Sequence, residues 1–210
     1  YFDEQAQVST RIKARAVILA TPRFVAERLD KSTKQSDVGA FSYSPWAVAN
    51  ITVSKLPAGR GAPLSWDNVV YNSPLLGYIV ATHQITQMSP RKSVLTYYWP
   101  LTHLSPADAR REAYSRSYKD WQKIFLNELL HIHPELKENI EQVDVKLWGH
   151  AMVRPVPGFV WGEARKKAMR QQAPIFTAHS DMSGISIFEE AYTHGVRAAE
   201  NAWSYLARVS

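Results

Sequence analysis

The segment "APIFTAHSDMSGISIFEEAYTHGVRAAENAW", residues 173–203, constrains the fold more than any other part of the chain. A short apolar run stops at a lone Asp181, passes the small residues Ser183, Gly184 and Ser186, and enters a long amphipathic stretch. Ser186 followed by Glu189 reads as a capping box, which places Ile187 and Phe188 in the first helical turn. Phe188, Ala191, Tyr192, Gly195, Ala199, Ala202, Trp203 and Leu206 then recur at helical spacing as one stripe. Gly in a helix interior costs about 1 kcal/mol relative to Ala. Gly195 between Ala191 and Ala199 therefore points to close approach by another backbone. The flat surface such a helix needs is available in "AVILA", residues 16–20, and in "APIFTA", residues 173–178. A continuous apolar run like the first fits a strand buried on both faces of a parallel sheet.

A helix that starts where a buried strand ends suits a polar, electron-rich ligand. Glu189 and Glu190 complement the helix dipole but would repel a phosphate dianion. A neutral or delocalised acceptor such as a ring carbonyl is the better match. Asp181 could accept hydrogen bonds from ligand hydroxyls, as acidic residues do at ribose-type groups. The alternative is that Asp181 and Ser186 only satisfy the turn and the helix start, and spacing alone does not choose between the two.

Elsewhere the texture is mixed. Residues 1–29 read as strand, strand, helix, with Pro22 opening the helix. "DKSTKQSDVG", residues 30–39, reads as a crossing between domains. "WAVANITVSKL", "NVVYNS", "GYIVATHQIT" and "KSVLTYYWPL" are β-branched and aromatic runs separated by turn residues, the signature of an antiparallel sheet. Residues 105–133 read as one strong helix capped by Ser105, with Pro106 first and Asp108 approximating a capping box. Its stripe is Tyr114, Tyr118, Trp121, Phe125, Leu129 and Ile132. The strand "EQVDVKLWGHAM" follows, then a Pro/Gly-rich turn, a short basic helix and the opening segment.

The 210 residues hold no Cys, which excludes disulfides and thiolate zinc sites. No apolar run approaches the ~20 residues that span a bilayer, so the chain reads as soluble without a transmembrane segment, cytoplasmic or periplasmic being left open. The net charge of +6 is scattered, and its densest cluster, Arg165-Lys166-Lys167 with Arg170, reads as a solvated helix face rather than a nucleic-acid surface. The chain starts at Tyr1 inside a strand-like segment, which suggests a piece of a longer protein.

The arrangement "AHSD … GISIFEEAYTHGVRAAE" resembles the C-terminal flavin motif of the FAD-dependent amine oxidase, phytoene desaturase and protoporphyrinogen oxidase superfamily. "KARAVILATP" resembles that family's strand before the chain returns to the substrate domain, and "LWGHAMVRPVPG" the strand and Pro-Gly turn before its last flavin-binding section. The resemblance runs along the whole chain in order, with the final motif its most specific part. It implies an α/β with α+β fold: the C-terminal part of an FAD/NAD(P)-binding, Rossmann-like domain in residues 1–30 and 151–210, and a mixed or antiparallel-sheet substrate domain with packed helices in 31–150. It assigns Asp181 to the ribityl or diphosphate region of FAD, and the backbone at Ile187 and Phe188 to the flavin pyrimidine carbonyl. Ser186 joins them as a cofactor-binding candidate.

Three departures from the family pattern are visible. His179 stands where the strand-end motif has Gly; Ala49 and Asn50 stand near the position of the amine oxidases' lysine; and Ala151 falls at or near an aromatic-cage position. No Gly-x-Gly-x-x-Gly turn is present either, since Gly59-Arg60-Gly61 lacks the third glycine and a strand–helix context. The segment alone is therefore expected to hold FAD weakly or not at all, the partner being a missing N-terminal part of the same polypeptide.

No metal site is expected. His131 and His133 are two apart and do not share a helix face, so they read as a frayed helix end. Trp148, His150 and Met152 alternate along one strand and could line one wall. Trp148, His150 and Arg154 are the candidates for a catalytic wall facing a small-molecule substrate. Two readings remain: the C-terminal part of an FAD-dependent oxidoreductase that removes a hydride from a C–H or C–N bond, or a non-catalytic ligand-binding or assembly module that keeps the fold without the cofactor. A nicotinamide-linked dehydrogenase has no specific feature in its support.

Overall fold

The computed structural model describes residues 2–30, 40–59, 61, 63–85, 92–170 and 172–209. The crossing expected at residues 30–39 lies outside them from 31 onward, as do Arg60 and Ala62 of the glycine loop. The architecture is mixed α/β, divided into two compact units: Tyr1–Ser42 with Val153–Ser210, and Tyr43–Met152.

In the first unit, β1 (Phe2–Asp3) and β2 (Val8–Ser9) form a small antiparallel ribbon. β3 (Val17–Leu19) precedes α1 (Arg23–Leu29), whose N-cap is Pro22. The second unit begins with β4 (Tyr43–Val53), β5 (Asp67–Asn68), β6 (Tyr78–Val80) and β7 (Ser93–Pro100). Two helices follow, α2 (Pro106–Ser115) and α3 (Tyr118–Ile132), then the long β8 (Ile140–Val153). The chain closes with α4 (Glu163–Ala168), β9 (Ile175–Thr177) and α5 (Phe188–Arg208).

The second unit is a five-stranded sheet in the order β5-β6-β7-β4-β8. β4 and β7 pair antiparallel from Trp46↔Pro100 to Val53↔Ser93. The sequence alternation sets which face is dry. Ala47, Ala49, Ile51 and Val53 are fully buried together with Leu95, Tyr97 and the α3 residues Trp121, Phe125 and Leu129. Gly77 has φ +95°, and a Cβ there would stand 2.0 Å from the Asn68 carbonyl oxygen, so the close β5–β6 approach needs glycine.

A single helix over residues 105–133 does not form. Ser105 caps α2 as expected, accepting from the Asp108 N–H, but Arg116 is extended at φ −82°, ψ 140°. A complete capping box between Ser117 and Asp120 then starts α3. The bend redistributes the stripe: Trp121, Phe125 and Leu129 are buried, while Tyr114 and Tyr118 are exposed. The Trp121 indole donates to the Ala113 carbonyl at 3.1 Å and ties the two helices.

In the first unit β3 and β9 pair in parallel, Val17↔Ile175 to Leu19↔Thr177. The run at residues 16–20 is not buried on both faces: Val17 is 42% and Ile18 43% exposed. Among the described residues the sheet has only these two strands, and α5 packs against them through Ala198 and Ala202, which meet Phe176. The phase of α5 also differs from the expected stripe. Its buried residues are His194, Ala198 and Ala202, whereas Phe188, Tyr192 and Trp203 are 78%, 64% and 75% exposed. The apolar arc is wider than one contact face, and the sheet takes only one edge of it. A Cβ at Gly195 would meet nothing within 4 Å, so no described backbone approaches there.

Candidate functional site

The turn between β9 and α5 is built from buried polar contacts. Ser180, Asp181 and Met182 form a single 3-10 turn, and all three are buried. Asp181 is 1% exposed, and its Oδ2 accepts from the backbone N–H of Arg23 at 2.8 Å, the first residue of α1. The carboxyl oxygen there satisfies a donor that helix geometry leaves orphaned. His179, the residue in place of the family's glycine, accepts the Asp181 N–H on Nδ1 at 3.2 Å. Gly184 has φ +73°, and a Cβ there would stand 2.8 Å from the Phe159 ring, so both backbone and packing demand glycine. Phe159 in turn meets Phe41 edge-on at 5.0 Å.

A second polar chain closes the turn onto α5. Ser183 Oγ contacts the Glu190 carboxylate and lies 2.7 Å from His194 Nε2. A carboxylate only accepts, so the hydroxyl proton goes to Glu190 and the imidazole Nε2–H donates to the serine oxygen. That polarity is the reverse of a nucleophile–base pair, and it makes the group a latch. Burial, more than the nearby Arg197 guanidinium, pushes the His194 imidazole below its ordinary value. Sequence reading missed this latch, although Glu190 and His194 share a helix face at i, i+4.

Ser186 does not form the expected capping box. The helix starts at Phe188 with Ile187 as N-cap, one residue too late for the box, and the Ser186 hydroxyl accepts the Val153 N–H at 3.2 Å instead. No side chain caps α5. The Ile187 N–H donates to the Ile185 carbonyl at 3.1 Å. The first helical turn leaves N–H groups beyond it without an intrahelical acceptor, beside Ile187 and Phe188, which are 49% and 78% exposed, with Glu189 and Glu190 in the same turn. This arrangement offers hydrogen bonds and flat apolar surface to a neutral ring edge and disfavours a dianion.

In the second unit the sheet face opposite α2 and α3 carries the other candidates. Val143, Val145 and Leu147 pack toward the core, so the alternate residues of β8 turn outward. Trp148 is 52% and Met152 38% exposed on that face, and His150 is exposed between them. Lys146 lies 5.7 Å over the Trp148 ring, and Tyr43 meets His150 at 6.3 Å. Asn50 accepts from Thr96 Oγ1 at 2.8 Å, and the neighbouring Ala49 is fully buried. Arg154 lies just beyond β8, in the first unit, where its N–H donates to the Ser42 carbonyl at 2.7 Å. Among the described residues no three His, Cys, Asp or Glu side chains gather as a metal site. No described helix is long and apolar enough to cross a membrane.

No protein-family model and no curated protein matches the sequence. The fold does have solved counterparts. A crystal structure from Exiguobacterium sp. 255-15, described as a "putative protoporphyrinogen oxidase", superposes with a TM-score of 0.62 over 90% of this chain at 12% identity. The chain spans 41% of that protein's length. The likeness is one of fold.

Proposed function

We propose that this chain supplies the substrate domain and part of the cofactor domain of an FAD-dependent oxidoreductase. The observation that carries the reading is the start of α5, which no side chain caps and which Ile187 and Phe188 flank at the end of a parallel strand pair. The shared fold with a protein described as a protoporphyrinogen oxidase supports it. In this reading Tyr1–Ser42 with Val153–Ser210 is the partial FAD-binding, Rossmann-like domain and Tyr43–Met152 the substrate domain.

The residues at the turn fit a flavin edge. The Ile187 N–H already donates to the Ile185 carbonyl at 3.1 Å, so the Phe188 backbone N–H would hold the pyrimidine carbonyl, and the Phe188 side chain would shield it from water. Asp181 and Ser186 act in the same site by fixing the turn, through Arg23 and Val153. Direct contact of Asp181 with a ribityl hydroxyl requires a local opening at α1, because the carboxylate is 1% exposed. A bound flavin would supply the acceptor for a hydride from a substrate carbon, in oxidation of a C–H or C–N unit, while the protein would orient the substrate and exclude water. Trp148 and His150 would form part of the substrate wall, the indole by packing and the imidazole by hydrogen bonding, with Arg154 as a further candidate just past the end of β8.

A diphosphate needs a glycine-rich turn and helix start of its own. The reading therefore includes a further α/β segment as partner, carrying that turn and covering Val17, Ile18 and the outer face of α5. The test is a visible spectrum of the product of the whole gene. Oxidised-flavin absorbance, bleached anaerobically by a substrate, is the expected result. A product that carries a strand–Gly-x-Gly-x-x-Gly–helix unit but purifies colourless and ignores added FAD overturns the reading.

The second reading, a non-catalytic module, is favoured by one observation: the Asp181 carboxylate is spent on the Arg23 N–H beside His179. It predicts a thermal transition of the whole product that FAD does not move. A bound cofactor at a hundred times its Kd would add about 2.7 kcal/mol.

A further inference from the structure

A third polar chain lies in the other unit, at the C-terminal end of α3. His133 follows the last residue of α3, and its N–H closes the helix onto the Leu129 carbonyl at 2.8 Å. It is not a frayed end. Its Nε2 lies 2.7 Å from the Tyr78 hydroxyl, its Nδ1 lies 3.3 Å from Glu135 Oε1, and its ring meets Tyr78 edge-on at 5.7 Å. Hydrogen bonds from the Glu135 backbone N–H, and then from His133 and the Ala58 N–H, hold the Glu135 carboxyl below its usual value. An ionised Glu135 only accepts, so in the neutral imidazole the proton sits on Nδ1 and Nε2 is the acceptor of the Tyr78 proton. Burial, aided by the Glu135 charge, pushes the Tyr78 phenol up to about 12, so that proton stays in place. The Tyr78 oxygen can then only accept from any further partner.

These groups border a cleft of about 420 Å³ walled by Asn68, Val69, Tyr71, Tyr78, His131 and His133. The Asn68 amide nitrogen already donates to the Ser65 carbonyl at 2.9 Å. Tyr71 is 90% and Val69 78% exposed, leaving aromatic and aliphatic surface uncovered at the rim. Among the described residues no Lys or Arg lines the cleft, and the carbonyl end of α3 gives it negative polarity. Tyr78 belongs to the buried core under α3, so the cleft lies on the helix side of the sheet, away from the face that carries Trp148 and His150.

We propose that this cleft is a binding site for a small planar organic cation, which lies against Tyr71 and donates to the Tyr78 oxygen through a local opening at the cleft floor, since Tyr78 is 2% exposed. The proposal is independent of the flavin reading, since none of its residues belongs to the unit that would hold FAD. An oxygen fixed as acceptor, exposed aromatic surface and negative local polarity all select a cation over an isosteric neutral molecule or anion.

The test titrates the intact chain with benzamidinium, benzamide and benzoate, followed by calorimetry and by amide NMR shifts. Benzamidinium is expected to bind at least about tenfold more tightly than the other two, with shifts centred on Asn68, Tyr71, Tyr78 and His133. Tyr71→Ala removes only an exposed ring and is expected to weaken that binding roughly 2–5-fold. Tyr78→Phe, which keeps the buried ring, is expected to weaken it further. Equal binding of the three compounds, no binding of any, or an affinity indifferent to Tyr71→Ala overturns the proposal. If Tyr78→Phe fails to fold, the compound series and Tyr71→Ala decide it alone.

Discussion

His194 is 2% exposed, and its imidazole is held below the ordinary histidine range. In the unfolded chain the same group titrates near its reference value of about 6.5. Between the two values the unfolded state binds more protons, so the stability from neutral His194 is fully present above about pH 6.5 and is lost as pH falls through the folded value. His194→Gln, which keeps a donor for Ser183, is expected to flatten that acid limb. Urea midpoints at pH 7 and pH 5 check it, and an equal fall in both proteins removes His194 from the account. Tyr97 carries the opposite kind of polar group. Its hydroxyl is buried with no hydrogen-bond partner among the described residues, and burial, then Tyr78 and Glu128, push the phenol far up. Deleting an unpaired buried hydroxyl removes a desolvation cost. Tyr97→Phe is expected to leave folding stability unchanged or raise it by up to about 1 kcal/mol in denaturant titrations. Neither residue was legible in sequence, because one His or Tyr among apolar neighbours looks the same with or without a partner.

At the scale of the element, α5 shows how far periodicity reaches. The 3.6-residue pattern located the helix, but the apolar arc running from His194 and Ala198 round to Phe188 and Trp203 does not say which edge the sheet takes. Two substitutions three residues apart separate the faces. Gly195→Ala puts a methyl where nothing lies within 4 Å and is expected to raise the thermal stability of this chain by roughly 0.5–1 kcal/mol. Ala198→Leu forces bulk into a fully buried contact and is expected to cost about 1–3 kcal/mol in the same melts. Should both act alike, the assigned faces are wrong. The break between α2 and α3 was written in the sequence as Ser117 followed by Asp120, but a continuous apolar stripe concealed it.

At the scale of the whole molecule, the two units differ in what supports them. The main core lies wholly between Ala47 and Leu136, inside the contiguous unit Tyr43–Met152. That segment expressed alone is expected to unfold cooperatively, with near-ultraviolet dichroism from packed Trp99 and Trp121. A non-cooperative melt without that signal would show that the core depends on the rest of the chain. The other unit has smaller buried groups, Phe176 with Ala198 and Ala202, and Phe41 with Phe159, and among the described residues a two-stranded parallel sheet, where parallel sheets are ordinarily covered on both faces. By itself the sequence determined the α/β character, the alternation that splits each strand into a dry and an open face, and the strand–turn–helix at the C-terminal end. Each of these depends on spacing along the chain. Only the tertiary structure decided which partners the polar side chains take: Asp181 with Arg23, Ser183 with His194, and Tyr78 with His133. Those pairs span 158, 11 and 55 residues, and a distant donor leaves no periodic mark on its acceptor.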